Sequence, residues 1–144
     1  GRWVMASWTA ITEAVVLNAM ATDMAAQHAT WIAANPSKAT RLSELVAETV
    51  AIFRDAVASN PANEVDPDTT KVPMSGYRHA LNEITFNLGM EMGTEFPGEV
   101  YNLITRAEIW LRGVQAGSIP VGNIGANATP SYLALYMGTR ELEG

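Results

Sequence analysis

Residues 40–58 read TRLSELVAETVAIFRDAVA. Leu42, Leu45, Val46, Val50, Phe53 and Val57 recur at spacings of three and four, and Arg41, Glu44, Glu48 and Asp55 fall between them. That period puts the apolar side chains on one stripe of an α-helix and the charges on its other side. The stretch therefore predicts a helix starting near Ser37 or Thr40 and ending at Ala58. A strand would need alternation with a period of two, which these residues lack. The same helical period recurs on both sides of the stretch and sets the reading of the whole chain as all-α.

Upstream, Thr12 is placed to cap a short helix carrying Val15, Val16 and Met20, and Thr22 to cap a second. Asp23 falls in the first turn of that second helix, where the dipole favours an anion. Met24, His28, Trp31 and Ile32 share one of its faces, and Asn35-Pro36 stops it. Downstream, SNPANEVDPDTTKV (59–72) holds two prolines and two asparagines and reads as a surface loop. Pro73 opens a fourth helix, where its missing N–H does no harm. Tyr77, Leu81, Ile84 and Leu88 form its stripe and Gly93 ends it. A TEFPGE turn leads to a fifth helix over about Pro97–Ala116, striped by Val100, Leu103, Ile104, Ala107, Leu111 and Val114. Gly117 supplies its left-handed stop.

No stretch alternates well enough for a central strand, although Pro120 makes Ser118–Val121 extended. The expected architecture is a bundle of about five helices. It spans residues 7–117, after an N-terminal extension (1–6) and before an extended C-terminal arm (118–144). The opening GRWV precedes Met5, and MASW reads as a start. Leu42, Val46, Phe53, Leu81, Ile84, Leu103 and Leu111 are expected to hold the protomer together.

Composition narrows the function. The 144 residues suit one domain with one ordinary core. Charged residues make up 17%, against about 25% in a typical soluble domain, which suits a surface partly covered by other protein. A net charge of −6, with nine scattered Lys and Arg, argues against a reader of duplex DNA. The chain has no cysteine, which removes disulfides, thiolate metal sites and cysteine nucleophiles. No apolar run approaches the roughly 18 residues of a membrane span, and residues 1–20 do not resemble a signal peptide.

The candidate chemical groups are weak. His28 and His79 are the two histidines, and a metal site needs several convergent ligands. Glu64, Asp66 and Asp68 alternate like calcium ligands, but without the glycine and glutamate of an EF-hand loop. GNIGANATP follows a helix instead of a strand and lacks the lysine of a phosphate loop. Glu83, Glu91, Glu95, Glu99 and Glu108 fit the wet sides of amphipathic helices. The reading is a protein without catalytic, cofactor-binding or metal-binding residues.

The last 27 residues carry more information. Gly122, Gly125 and Gly138, with Asn123 and Asn127, make a spacer that is costly to order. Around it stand Ile119, Val121, Ile124, Tyr132, Leu133, Leu135, Tyr136 and Met137. Left in water, such a cluster invites aggregation. It can fold back on its own bundle or order on a neighbouring chain. The reach of the spacer favours the neighbour, and these eight residues are the expected interaction site.

SWTAITEAVVLNAM (7–20), the second and third helices, and above all FPGEVYNLITRAEIWLRGVQAGSIPV (96–121) resemble the head-completion adaptors of tailed bacteriophages. The closest likeness is to the Mu-like head–tail joining proteins. That family ends its domain on A-x-x-x-L-x-x-V-x-x-G and a short extended segment. Ala107, Leu111, Val114, Gly117 and Ile119 hold those positions here. The likeness covers roughly residues 7–121 and rests on small apolar residues at helical spacing. It implies a helical adaptor, twelve copies in a ring, at the head–tail junction of the virion. The expected partners are the portal protein and a downstream neck, tail or stopper protein. Genome DNA would pass through the lumen without sequence recognition, and an acidic or neutral wall would let it slide. Fourth helices of such proteins are often rich in arginine; this one has only Arg78. Two other classes stand beside this expectation. One is a small helical oligomeric binding or regulatory module unrelated to phage, such as a dimeric adaptor. The other is an enzyme built on helix-borne carboxylates such as Glu83 and Glu108.

Overall fold

The computed structural model describes residues 7–121. The fold is all-α and bundle-like, with one small sheet. In chain order it comprises β1 (Trp8–Ala10), α1 (Glu13–Ala19), α2 (Thr22–Ala34), a 3-10 turn (Pro36–Lys38) and α3 (Arg41–Ala58). Then come β2 (Lys71–Pro73), α4 (Met74–Met92) and α5 (Gly98–Ala116).

The central stripe behaves as its spacing requires. Leu42, Phe53 and Val57 are sealed from water, and Leu45, Val46 and Val50 nearly so. Burying a side chain such as Phe53 stabilises the fold by about 1.5–3 kcal/mol. Its ring stacks on Trp110 of α5, with centroids 5.5 Å apart. The stripe of α4 completes the centre through Leu81, Ile84 and Leu88. Helices α3, α4 and α5 thus form the body, and α1 and α2 close one side.

The ends obey local rules with one exception. The Thr12 hydroxyl accepts the Val15 N–H at 3.3 Å and caps α1. Thr22, expected as the cap of α2, is instead its first helical residue, after an Ala21 that offers no side-chain cap. Gly93 and Gly117 close α4 and α5 at φ of 79° and 81°, the left-handed conformation that costs glycine least. Beyond Gly117 the amides of Ser118 and Ile119 return to the Gly113 carbonyl at 2.9 and 3.0 Å.

Two expectations need correction. Residues 59–72 are not loop to their end: Lys71–Pro73 pairs antiparallel with Trp8–Ala10, in the register Thr9 to Val72. Val72 is fully buried there. Strands of three residues are too short for alternation to show in a sequence. The second correction concerns Leu103, expected in the core but 36% exposed. Seven residues, nearly two whole turns, separate it from Trp110, so both lie on one side of α5. At Leu103, however, the opposing surface recedes into a cleft. Leu111 is only partly buried, packed against the core's edge.

Candidate interaction surface

The polar side chains mostly organise the fold. Arg54 on α3 reaches across to the 59–70 loop. Its Nη1 donates to the carbonyls of Asp68 (2.8 Å) and Lys71 (2.9 Å), and its Nη2 to that of Asp66 (2.5 Å). The guanidinium also lies 5.5 Å from the centre of the Trp8 ring. One cation therefore ties α3, the loop and β1 together. The carboxylates of the loop turn inward on its backbone. Asp66 accepts the Asp68 amide, and Asp68 accepts both the amide and the hydroxyl of Thr70. The Thr70 hydrogen bonds hold the Asp68 carboxyl below the usual carboxylate range. Alternating acids here make turns, and among the described residues no three His, Cys, Asp or Glu side chains could hold a metal ion together.

A second cluster joins α3 to α4. Arg41 donates from Nε and Nη2 to Glu91 at 2.7–3.0 Å, and its Nη1 reaches Glu44 and Glu48. Hydrogen bonding by Arg41 lowers the Glu91 carboxyl's pKa. The group is exposed, so water and salt screen its contribution.

The two histidines part company. His28 is 5% exposed with no partner for its Nε2 among the described residues. His79 is half-buried, its ring 6.1 Å from that of Trp110. Burial first, and then the charge of Arg106, lower its pKa from the ordinary 6.5. On the same helix, burial and the nearby Glu108 raise the pKa of Glu83. Glu83 and Glu108 are electrostatic neighbours across α4 and α5, the pair the enzyme alternative singled out.

Two apolar clefts mark the surface. The larger, about 500 Å³, runs along α3 beneath the 59–70 loop. Ile11, Val46 and Val50 line it, with Arg54 and Asp55 at its side. The smaller, about 240 Å³, lies between the α1–α2 corner, α4 and the start of α5. Met20, Met24 and Leu81 are its buried residues, and Phe86, Phe96 and Leu103 stand nearer to solvent. Phe86 meets Phe96 at 5.4 Å and the edge of Tyr101 at 5.5 Å. The Phe96 ring fits because residue 89 is glycine: a Cβ there would stand 2.2 Å from its Cζ. Arg78 is the one charged residue in the lining, and it makes no salt bridge to a described residue.

Of the eight residues expected to form the interaction arm, the structure places two. Ile119 and Val121 are partly buried and pack against the core of their own domain. Ile124, Tyr132, Leu133, Leu135, Tyr136 and Met137 lie outside the described residues. The sequence reading missed Trp110, which is 6% exposed. Its position, three residues after Ala107 and four before Val114, was the available signal. Ile52, Met74, Met90, Tyr101 and Ile109 are exposed along with Leu103. No helix among the described residues is long and apolar enough to cross a membrane. Comparison with family models, curated proteins and solved structures finds no match to this chain.

Proposed function

We propose that the chain is a structural virion protein, a subunit of an adaptor ring that joins the portal to the tail or neck around the DNA channel. The observation that carries this reading is exposed apolar surface on three different helices. Ile52 lies on α3, Met74 and Met90 on α4, and Tyr101, Leu103 and Ile109 on α5. A ring built from head-to-tail contacts needs two different patches on each protomer, and protein cover for them. The low charged fraction agrees with such cover. The likeness of residues 7–20 and 96–121 to head–tail adaptors supplies the place, the portal partner and the copy number of twelve. In this reading the chain carries no catalytic step and no cofactor, and the segment after Val121 adds contacts between protomers or to the portal. A net charge of −6 lets the genome slide past the ring instead of holding it.

Imaging of assembled particles tests the proposal. It expects this chain as a closed ring between portal and neck, with a lumen that is not basic. A compact dimer that persists beside the portal overturns it and favours the small regulatory module. Deleting residues 130–144 should leave the helical content nearly unchanged and block particle assembly. If the shortened chain unfolds, the segment belongs to the core and the ring loses its arm.

A further inference from the structure

An apolar arm needs shelter before any neighbour arrives. We propose that the cleft between the α1–α2 corner, α4 and the start of α5 is the docking site for residues Tyr132–Met137 of the same chain. In the free protomer the contact is intramolecular.

The lining suits an apolar segment. Met20, Met24 and Leu81 offer a buried apolar surface, and Phe86, Phe96 and Leu103 stand around it. The cleft's 240 Å³ would hold about eight waters, with few polar partners for them. Leu133, Tyr136 and Met137 are spaced i, i+3, i+4, the pattern of anchors that enter an apolar groove together. Flexible methionines in the receiving surface adapt well to such anchors.

Charge selects this cleft over the other. Arg140, Glu141 and Glu143 follow the apolar run within six residues, a stretch with one net negative charge. Here the two glutamates meet Arg78, which has no ion pair among the described residues. The α3 cleft would set them against Asp55, and its Arg54 is already committed to three carbonyls.

Reach and mass action favour the chain's own segment over a second copy's. Ile119 sits against Gly113, and Leu103 is ten residues back along α5, about 15 Å by helical rise. Passing around α5 adds at most its diameter of about 10 Å. The ten residues 122–131, two of them glycine, have a root-mean-square span of roughly 16–19 Å and about 33 Å when extended, enough to cover a path of about 15–25 Å. A linker matched to its span gives an effective concentration in the millimolar range. At about 10 μM protein the intramolecular contact is therefore favoured over a second copy about a hundredfold. The inference does not rest on the ring reading, because a regulatory module would mask the same cleft in the same way.

The cysteine-free chain makes the test direct. Ala134→Cys in the full-length protein accepts a single nitroxide spin label. Relaxation of methyl signals then reports which surface the label visits. The methyls of Met20 and Met24 should lose most of their intensity, and those of Val46 and Val50 in the α3 cleft should keep theirs. Mixing isotope-labelled, unspun protein with spin-labelled, isotope-silent protein should leave every methyl signal intact. Leu103→Asp and Arg78→Glu, both at exposed positions, should each restore the Met20 and Met24 signals. Unchanged Met20 and Met24 signals, or a loss centred on Val46 and Val50, overturn the proposal. So does broadening in the mixed sample equal to that of the doubly labelled protein, since the occupant would then be a second copy. Particle imaging decides the ring independently of any of these outcomes.

Discussion

The two clefts differ less in size than in what their arginines are doing. In the α3 cleft the Arg54 guanidinium is used up: three backbone carbonyls and the Trp8 ring surround it. In the α4–α5 cleft Arg78 is exposed and makes no salt bridge to a described residue. A guanidinium satisfied by backbone is part of the scaffold, because removing it strands carbonyls that only a loop rearrangement could pair again. A solvated guanidinium at the edge of an apolar hollow costs nothing to keep and gains on meeting a carboxylate. One cleft is thus the seam of the fold, and the other is surface with capacity to spare. Three substitutions break or sharpen that contrast, and a fourth, away from both clefts, gives a scale for it.

The largest effect should follow Arg54→Met, which keeps the aliphatic stem and removes the donors. Hydrogen bonds from a charged group contribute about 1.5–3 kcal/mol each in favourable settings, and this side chain is only half-buried. A net loss of about 3 kcal/mol is expected in urea unfolding. Amide exchange should accelerate first in the 59–70 loop and at Ile11, whose N–H is held by the Thr70 carbonyl. A stability change below about 0.5 kcal/mol would mean that the loop holds itself through Asp66 and Asp68 alone.

On the other side of the contrast, Gly89→Ala tests whether the α4–α5 cleft is shaped by that glycine. The new Cβ would stand 2.2 Å from Phe96 Cζ and 3.3 Å from Met24 Cε, so the ring must swing out. Overpacking costs about 1–3 kcal/mol, and replacing a mid-helix glycine by alanine returns up to about 1. A net loss near 1 kcal/mol is expected, together with shifted resonances for Phe86, which the ring meets, and for Tyr101 on the far side of Phe86. Stabilisation would show that Phe96 moves freely and does not define the cleft.

Much of this molecule is written in its sequence, and the parts that are not have physical causes. The stripe of α3 and the stops at Gly93 and Gly117 are local facts, fixed by period and by positive φ, and a sequence displays them directly. The core positions Leu42, Val46, Phe53, Leu81 and Ile84 follow from the same period. The β1–β2 pair was invisible because its partners are more than sixty residues apart and only three residues long. Leu103 has the spacing of a core residue, and only the relative positions of α1, α2, α4 and α5 decide that it faces a hollow. The contrast between Arg54 and Arg78 was likewise out of reach, because it depends on whether carbonyls from distant loops converge on a side chain. Of the expected arm, Ile119 and Val121 are visible, and both belong to the body's packing. Composition could count their apolar character but could not assign it to one chain or another.

A smaller effect is expected away from both clefts, at Glu83. Burial and the charge of Glu108 raise its pKa in the folded state, so its ionised form opposes folding. Well above the raised value both folded and unfolded chains carry the charge, and the penalty is present in full. Below the ordinary value of 4.5 both are protonated, and the penalty is gone. Glu83→Gln should therefore raise the melting temperature at pH 7 and leave it unchanged at pH 4. The gain should stay under about 1 kcal/mol, because the group is about half exposed and solvent screens it. An equal gain at both pH values would trace the effect to helix propensity instead of charge.

The smallest expected effect is the most informative about the contrast. Arg78→Ala removes a cation with no salt bridge to a described residue, from an exposed position inside a helix where alanine is the best residue. Stability should stay within about 0.5 kcal/mol of the native protein, against the loss of several times that at Arg54. The fold would then have no use for this arginine, and its value would lie in what it can meet at the edge of the cleft. A loss comparable to that of Arg54→Met would remove the distinction between the clefts, because Arg78 would then hold the scaffold together as Arg54 does. Measuring both variants in one denaturant series, with the slope of each transition compared, separates a lost staple from a change in the unfolded chain.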